Sequence, residues 1–380
     1  MPEQIYTNYR LLLSDRELLG TIAITDGIIT DIQSGIVSQG QNGDGNHLLP
    51  GLIELHTDNL EKCLAPRPGV RWNLDSAAVN HDRDLISSGI TTVCDAIAIG
   101  DVTPKEDSLR LHYYAPTIDA VARGQAAGRF SADHLLHLRC ELGYENLVDI
   151  VEPFTDNPLL ALISLMDHTP GQRQFVKTEK YKQYYVGKHG VSPEKMDEFI
   201  RMRLANQRQY ATTNRQKLVK MAQQKGISLA SHDDATVDHV REAIAEGVVL
   251  AEFPTTIDAA KEAHGNGLQV LMGAPNIVLG GSHSGNVSAM ELVKLDLVDI
   301  LSSDYVPRSL LQAAFIISQQ ADKPLYEVIK LITLNSAKAI NLDREIGSLE
   351  IGKQANFLIV HDDGIVPRIL EVYKQGKRVA

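Results

Sequence analysis

Hydrophobic positions fall into two regimes along the chain. Residues 1–47 alternate apolar and polar in short runs such as "GTIAIT" and "GIITDIQ", broken at "TDG" and "QNGDGN". Alternation of this kind predicts half-buried strands joined by tight turns. From residue 49 the pattern changes to short, nearly continuous apolar runs, several followed by residues at helical spacing. The runs are "GLIELHTD" (51–58), "TTVCDAIA" (91–98), "HLLHLRCEL" (134–142), "ALISLMDH" (161–168), "ISLASHDD" (227–234), "VVLAEFP" (248–254), "LQVLMGAPN" (268–276) and "VDILSSD" (298–304). Parallel strands covered on both faces require such continuity. "VDHVREAIAEG" and "ELVKL" carry the helix period between them. After residue 340 alternation returns in "IGSLEIGKQANFLIVHDDGIVPRILEVYKQGKRVA".

Eight strand–helix units over about 250–300 residues predict an α/β fold, a (β/α)8 TIM-type barrel. The two strand-rich ends are expected to pair into a small β-sandwich, with residues 1–48 and 345–380 in that domain and 49–344 in the barrel. A doubly wound open sheet is the competing fold, but no GxGxxG follows the first strand. The connection 169–226 exceeds one helix and its turns and reads as a functional lid or an oligomer contact.

Composition acts mainly by exclusion. With 380 residues, 43% hydrophobic and 22% charged, the chain reads as an ordinary globular protein. No apolar run approaches the roughly 18 residues of a membrane span, and the first residues lack a secretory pattern. A formal charge of −11 disfavours nucleic acid or an acidic membrane as the main partner. A small polyanionic substrate is compatible with that charge, because metals and local cations reverse the sign inside a cleft. Cys63, Cys94 and Cys140 contain no CxxC pair, which suits a reducing, cytoplasmic compartment. A homo-oligomer is allowed.

The reactive face of such a barrel lies at the C-terminal strand ends. Those ends carry His56, Asp58, Glu141, His168, His232, Glu252 and Asp304. Imidazoles and carboxylates converging from different strands can hold one or two divalent ions, zinc, manganese or iron. Such an ion lowers the pKa of its water toward ~7. In the first strand, period 2 puts Glu54, His56 and Asp58 on one face and Ile53, Leu55 and Thr57 on the other. Alternatives stand beside several of these. Asp304 can cap the following helix. Glu141 shares a face with Arg139 and His137, so a buried ion pair competes. His168 fits a ligand, a substrate contact or a turn histidine. Glu252 is weaker, because Phe-Pro follows and its carboxylate can bond backbone.

The loop "GAPNIVLGGSHSGN" (273–286) offers backbone N–H groups and hydroxyls suited to phosphate, with Ser282, His283 and Ser284 at its centre. Lys62, Arg67 and Arg71 follow the first strand, Arg139 lies on the third, and Arg173 follows the fourth. They are the candidate cations for an anionic substrate.

"PGLIELHTD" resembles the PG-x-I-x-x-H-x-H signature of the amidohydrolase superfamily, with Asp58 where the second His usually stands. "SGITTVCDA" resembles its second-strand segment and "IGSLEIGKQANFLIV" its C-terminal segment, with Asn356 where Asp is common. Within that superfamily, "LLPGLIELHTDNLEK", "SLMDHTPGQRQF", "LASHDDAT", "VLMGAPNIVLGGSHSGN" and "DILSSDY" are similar to the diphosphatases of the bacterial carbon–phosphorus lyase pathway. Residues 1–47 and 101–133 match least. The resemblance implies a metal-dependent hydrolase that splits alpha-D-ribose 1-methylphosphonate 5-triphosphate into the 5-phosphate and pyrophosphate. It implies His56, Asp58, Glu141 and His232 as metal ligands, joined by His168 and Asp304, and Asp304 and His232 as catalytic residues. Arg139, Arg173, Lys62, Arg67, Ser282, His283 and Ser284 would bind the phosphorylated ribose. No strand shows a carboxylated-lysine position. A hydrolase of C–N bonds, such as a deacetylase or cyclic amidase, is the second reading. A neutral amide substrate would not need the cationic loops. A non-catalytic binding scaffold is the third, and the number of candidate ligands counts against it.

Overall fold

Each apolar run from residue 51 onward becomes a strand parallel to its sequence neighbours. The computed structural model describes residues 3–67, 69–100, 109–171, 173, 193–282 and 285–380. Leu52–Thr57, Ile90–Ile99, Asp133–Glu141, Leu160–Met166, Ser228–His232, Leu250–Glu252, Gln269–Gly273 and Ile300–Ser302 pair in chain order as an eight-stranded sheet. The last strand returns to the first. Thr57 and Asp304 form a parallel bridge, Asp58 N–H donates to the Asp304 carbonyl (2.8 Å), and Asp304 N–H donates to the His56 carbonyl (3.1 Å). The sheet is therefore a nearly closed barrel, and the doubly wound alternative is excluded.

Glu54 seals the seam. Its buried carboxylate accepts from His56 N (2.7 Å), Ser302 Oγ (2.8 Å) and Ser303 N (2.7 Å), tying the first strand to the last. Strand register shifts between Glu54 and Thr57. That irregularity breaks the strict alternation expected over residues 53–58. Gly51, after Pro50, lets the first strand leave the small sheet, because a Cβ there would overlap the Thr91 hydroxyl.

Two apolar layers follow from continuous hydrophobicity. Ile53, Leu55, Cys94, Leu162, Ala230, Leu250, Leu271 and Ile300 fill the barrel with Ala337 and Ile346. Val93, Leu136, Ile163, Ala251 and Leu301 pack outward against helical residues such as Leu85, Val121, Leu218 and Val240. Both termini build a second sheet, in which Phe357–His361 pairs antiparallel with His47–Pro50 and Gln4–Leu12 with Glu17–Thr25. Its core includes Tyr6, Phe357 and Tyr373, the last two stacked at 4.4 Å.

One segment differs from expectation. The seventh strand stops at Gly273, and Ala274–Leu279 is a helix rather than strand and loop. Pro275 suits a helix's first turn, and Gly280 closes it at φ 77°. The long connection contributes the helices Pro193–Asn206 and Thr212–Lys225, joined by a π-helical turn, Gln207–Ala211. No described helix is long and apolar enough to cross a membrane.

Candidate functional site

The strand ends gather the candidate chemistry around one buried carboxylate. Glu252 ends the sixth strand, and its Oε1 lies 3.0 Å from His56 Nδ1. Its Oε2 lies 3.2 Å from His232 Nδ1 and accepts from Ser164 Oγ (2.5 Å). Burial alone would raise the Glu252 pKa, but His56 and His137 outweigh it and hold the group well below the usual carboxylate range. His168 repeats the arrangement, with Nδ1 2.7 Å from Glu141 Oε2. Three histidines thus turn Nδ1 to a carboxylate and keep Nε2 for another partner. Metal-ligating imidazoles are typically oriented this way.

Beside the buried set His56, His137 and Glu252, two further groups of ligand-type atoms form. His56, Asp58 and Asp304 bring theirs within 4.8 Å of one another, as do His168, His232 and Asp233. Asp304 follows the last strand at φ 51°, and Asp233 follows the fifth at φ 56°. Arg173 (43°) and the bulky Phe253 (55°) also have positive φ here. Such strain concentrated at a barrel mouth points to a site over-determined by its surroundings. Asp233 Oδ2 lies 3.5 Å from His232 Nε2 and 3.7 Å from His168 Nε2. Burial raises the Asp233 pKa and lowers that of His232.

The other expected residues are distributed as follows. Glu141 lies in neither group. Its oxygens meet His168 and Arg203 (3.0 Å), and these outweigh burial to hold its pKa at about 2. Arg139 meets Asp58 Oδ1 at 2.5 Å. Arg173 is buried, pairing with Asp234 and donating to the His232 carbonyl (3.1 Å). Lys62 reaches the Tyr305 carbonyl, and its ammonium sits 5.0 Å from the Tyr305 ring. Arg67 is exposed. Ser282 Oγ accepts from Asn286 N (3.2 Å), and His283 and Ser284 lie outside the described residues.

Residue reading passed over several members. Asp233 stands beside His232 in "ISLASHDD", where alternation assigns it to the opposite face, but its positive φ departs from strand geometry and its carboxylate faces His232 and His168. His137, with Nδ1 on the Leu55 carbonyl (2.8 Å), and Ser164 lie one layer deeper. Burial is the chief cause pushing His137 down to about 3, so its ring is neutral. Arg203 arrives from the insertion, 62 residues beyond Glu141. No sequence pattern signals that contact.

A barrel of this topology with imidazole–carboxylate groups at its mouth matches known proteins. Residues 47–379 fit the model of the amidohydrolase family. The chain belongs to the amidohydrolase family. It is 44% identical to the alpha-D-ribose 1-methylphosphonate 5-triphosphate diphosphatase of Escherichia coli (strain K12), over 99% of this chain and 100% of that protein. It is 22% identical to an imidazolonepropionase of Phocaeicola vulgatus, over 93% of this chain and 87% of that protein. Among solved structures, N-acetylglucosamine-6-phosphate deacetylase from Pasteurella multocida aligns over 100% of both chains, with TM-score 0.64 and 15% identity. A Xaa-Pro dipeptidase aligns over 99% of both, with TM-score 0.65 and 14% identity. At those identities the likeness concerns the amidohydrolase fold alone. Amidohydrolases are typically metal-dependent, and the mouth groups are candidate metal ligands.

Proposed function

We propose that this chain hydrolyses alpha-D-ribose 1-methylphosphonate 5-triphosphate to the 5-phosphate and pyrophosphate. The end-to-end identity with the Escherichia coli diphosphatase carries this reading. The donor set at the mouth supports it, because buried or half-buried imidazoles backed by carboxylates suit a divalent ion. His56, Asp58 and Asp304 would form one ligand set, and His168 and His232, joined by Asp233, the other. Glu141 would orient His168 or join that set. Zinc, with manganese or iron as alternatives, suits these donors, and two groups suit two ions. When bound, such an ion supplies Lewis acidity toward water and phosphoryl oxygens.

The chain's own residues supply positioning and proton transfer, which phosphoryl transfer chiefly needs. Asp304 takes a proton from the attacking water. The water oxygen bonds to phosphorus as the anhydride bond to the leaving pyrophosphate breaks. His232, held through Nδ1 by Glu252, shares in orienting the reacting oxygen. Arg139, Lys62, Arg67 and the Ser282–Ser284 loop bind phosphate oxygens, and His283 donates to the leaving group. Arg173 acts from behind, fixing the His232 main chain. The residues 1–48 and 345–380 would form the small domain and 49–344 the catalytic one. A reducing cytoplasm suits Cys63, Cys94 and Cys140, the last two buried.

Phosphorus NMR of purified protein with the triphosphate and zinc tests the reading. Pyrophosphate and the 5-phosphate should appear in equal amounts. Stepwise orthophosphate release, or no turnover beside rapid hydrolysis of an amide substrate, would overturn it.

A further inference from the structure

Behind the second and third barrel strands lies another buried set of histidines and acids. His81 on the helix Leu74–Ser87, Asp95 on Ile90–Ile99 and His134 on Asp133–Glu141 bring ligand-type atoms within 4.8 Å. Their proton positions can be read from one end. Asn59 Nδ2 lies 3.1 Å from His81 Nδ1 and 3.4 Å from Asp84 Oδ2. An amide NH2 only donates, so His81 Nδ1 accepts and the ring proton sits on Nε2. His81 Nε2 then donates to Asp95 Oδ1 (2.7 Å). Asp95 Oδ2 accepts from His134 Nδ1 (2.8 Å), and His134 Nε2 lies 3.4 Å from Asp82 Oδ1. Asp82 Oδ1 also accepts from Ser131 N and Ala132 N, both at 2.9 Å. Burial pushes His134 down, but Asp95 and Asp82 outweigh it and hold its pKa at about 9. Both His134 nitrogens therefore carry protons, and both His81 nitrogens are engaged. A metal needs a free imidazole lone pair, which His81 and His134 do not present.

This hydrogen-bonded series ends at Asn59, beside the mouth. Asn59 opens the helix Asn59–Leu64, and Asp58 stands at its N-cap without a side-chain capping bond. The Asp58 carboxylate meets Arg139 instead and groups with His56 and Asp304. A helix start whose cap is committed elsewhere needs another anchor. The Asn59 side chain provides one, onto His81 and Asp84.

We propose that His81, held by Asp95, His134 and Asp82, is a positioning residue that fixes Asn59 and, through it, the carboxylate of Asp58. This rests on Asp58 being a metal ligand, as read above. Removing a group that orients a ligand typically costs ~10–100-fold in metal affinity or activity.

The test uses the full chain and the variants Asn59→Leu, His81→Phe, His81→Gln and Asp58→Asn. Zinc affinity is measured by competition with a chromophoric chelator, alongside kcat, KM and thermal unfolding. Asn59→Leu and His81→Phe should bind zinc ~10–100-fold more weakly and lose kcat in step, with KM within about twofold. His81→Gln, able to accept from Asn59 and donate to Asp95, should recover most of both. Should His81→Phe fail to fold, Asn59→Leu decides, since it leaves the Asp95–His134 pair intact. Wild-type zinc affinity and kcat in Asn59→Leu would overturn the proposal while Asp58→Asn is impaired. Unchanged affinity in Asp58→Asn would overturn the ligand reading itself. Loss of a whole zinc equivalent from His81→Phe that Asp58→Asn retains would make the cluster a metal site and overturn the positioning role.

Discussion

Imidazoles and carboxylates cluster at the barrel mouth and again behind the second and third strands. At the mouth, His56, His168 and His232 each give Nδ1 to a carboxylate and keep Nε2. Behind the strands, His81 and His134 commit both nitrogens to neighbours. The same residue types therefore reach opposite ends through proton placement. One arrangement leaves lone pairs to share with a cation, and the other has filled them with hydrogen bonds. Residue type and proximity do not separate the two, because both bring ligand-type atoms within 4.8 Å of one another.

The largest effect is expected at Asp304. Asp304→Asn keeps an oxygen ligand but removes the base. Turnover should fall by about 10²–10⁴-fold with near-normal metal content, measured by pyrophosphate release and elemental analysis. Loss of metal as well would make Asp304 primarily a ligand. The scaffold behind the mouth comes next. Asp234→Asn leaves buried Arg173 only the more distant Glu242 (3.7 Å), which should cost about 3 kcal/mol in denaturant unfolding.

The outer cluster should answer to pH instead. His134 has a raised folded pKa, so its contribution is fully present below the unfolded value of 6.5 and is lost as pH rises through about 9. Asp95 is depressed, so its contribution is present above its unfolded value of 3.8 and is lost in acid. Wild-type stability should decline across the alkaline range by up to about 3 kcal/mol more than that of His134→Gln. Equal slopes would mean His134 is not held as an imidazolium. Smallest of all, Lys62→Ala should raise KM several-fold, on the order of 1 kcal/mol, with kcat kept, as fits an exposed ammonium.

The barrel was legible because continuous apolar runs recur with helical segments between them, and all eight lie on observed strands. His56, Asp58, His232 and Asp304 were legible because a polar residue ending an apolar strand has little packing reason to be there. Period 2 failed wherever the backbone departs from regular strand, at the shift after Glu54 and at Asp233 with its positive φ. Glu252 seemed weak because Phe-Pro follows it, yet four side chains approach its carboxylate, namely His56, His137, Ser164 and His232. Arg203 and the His81–Asp95–His134 chain depend on contacts across many residues, which no local pattern encodes.

Anomalous diffraction from crystals grown with zinc would test the central contrast most directly. Peaks are expected among His56, Asp58 and Asp304 and among His168, His232 and Asp233, with none between His81, Asp95 and His134. Density at that outer cluster, or a mouth left empty under saturating zinc, would contradict it.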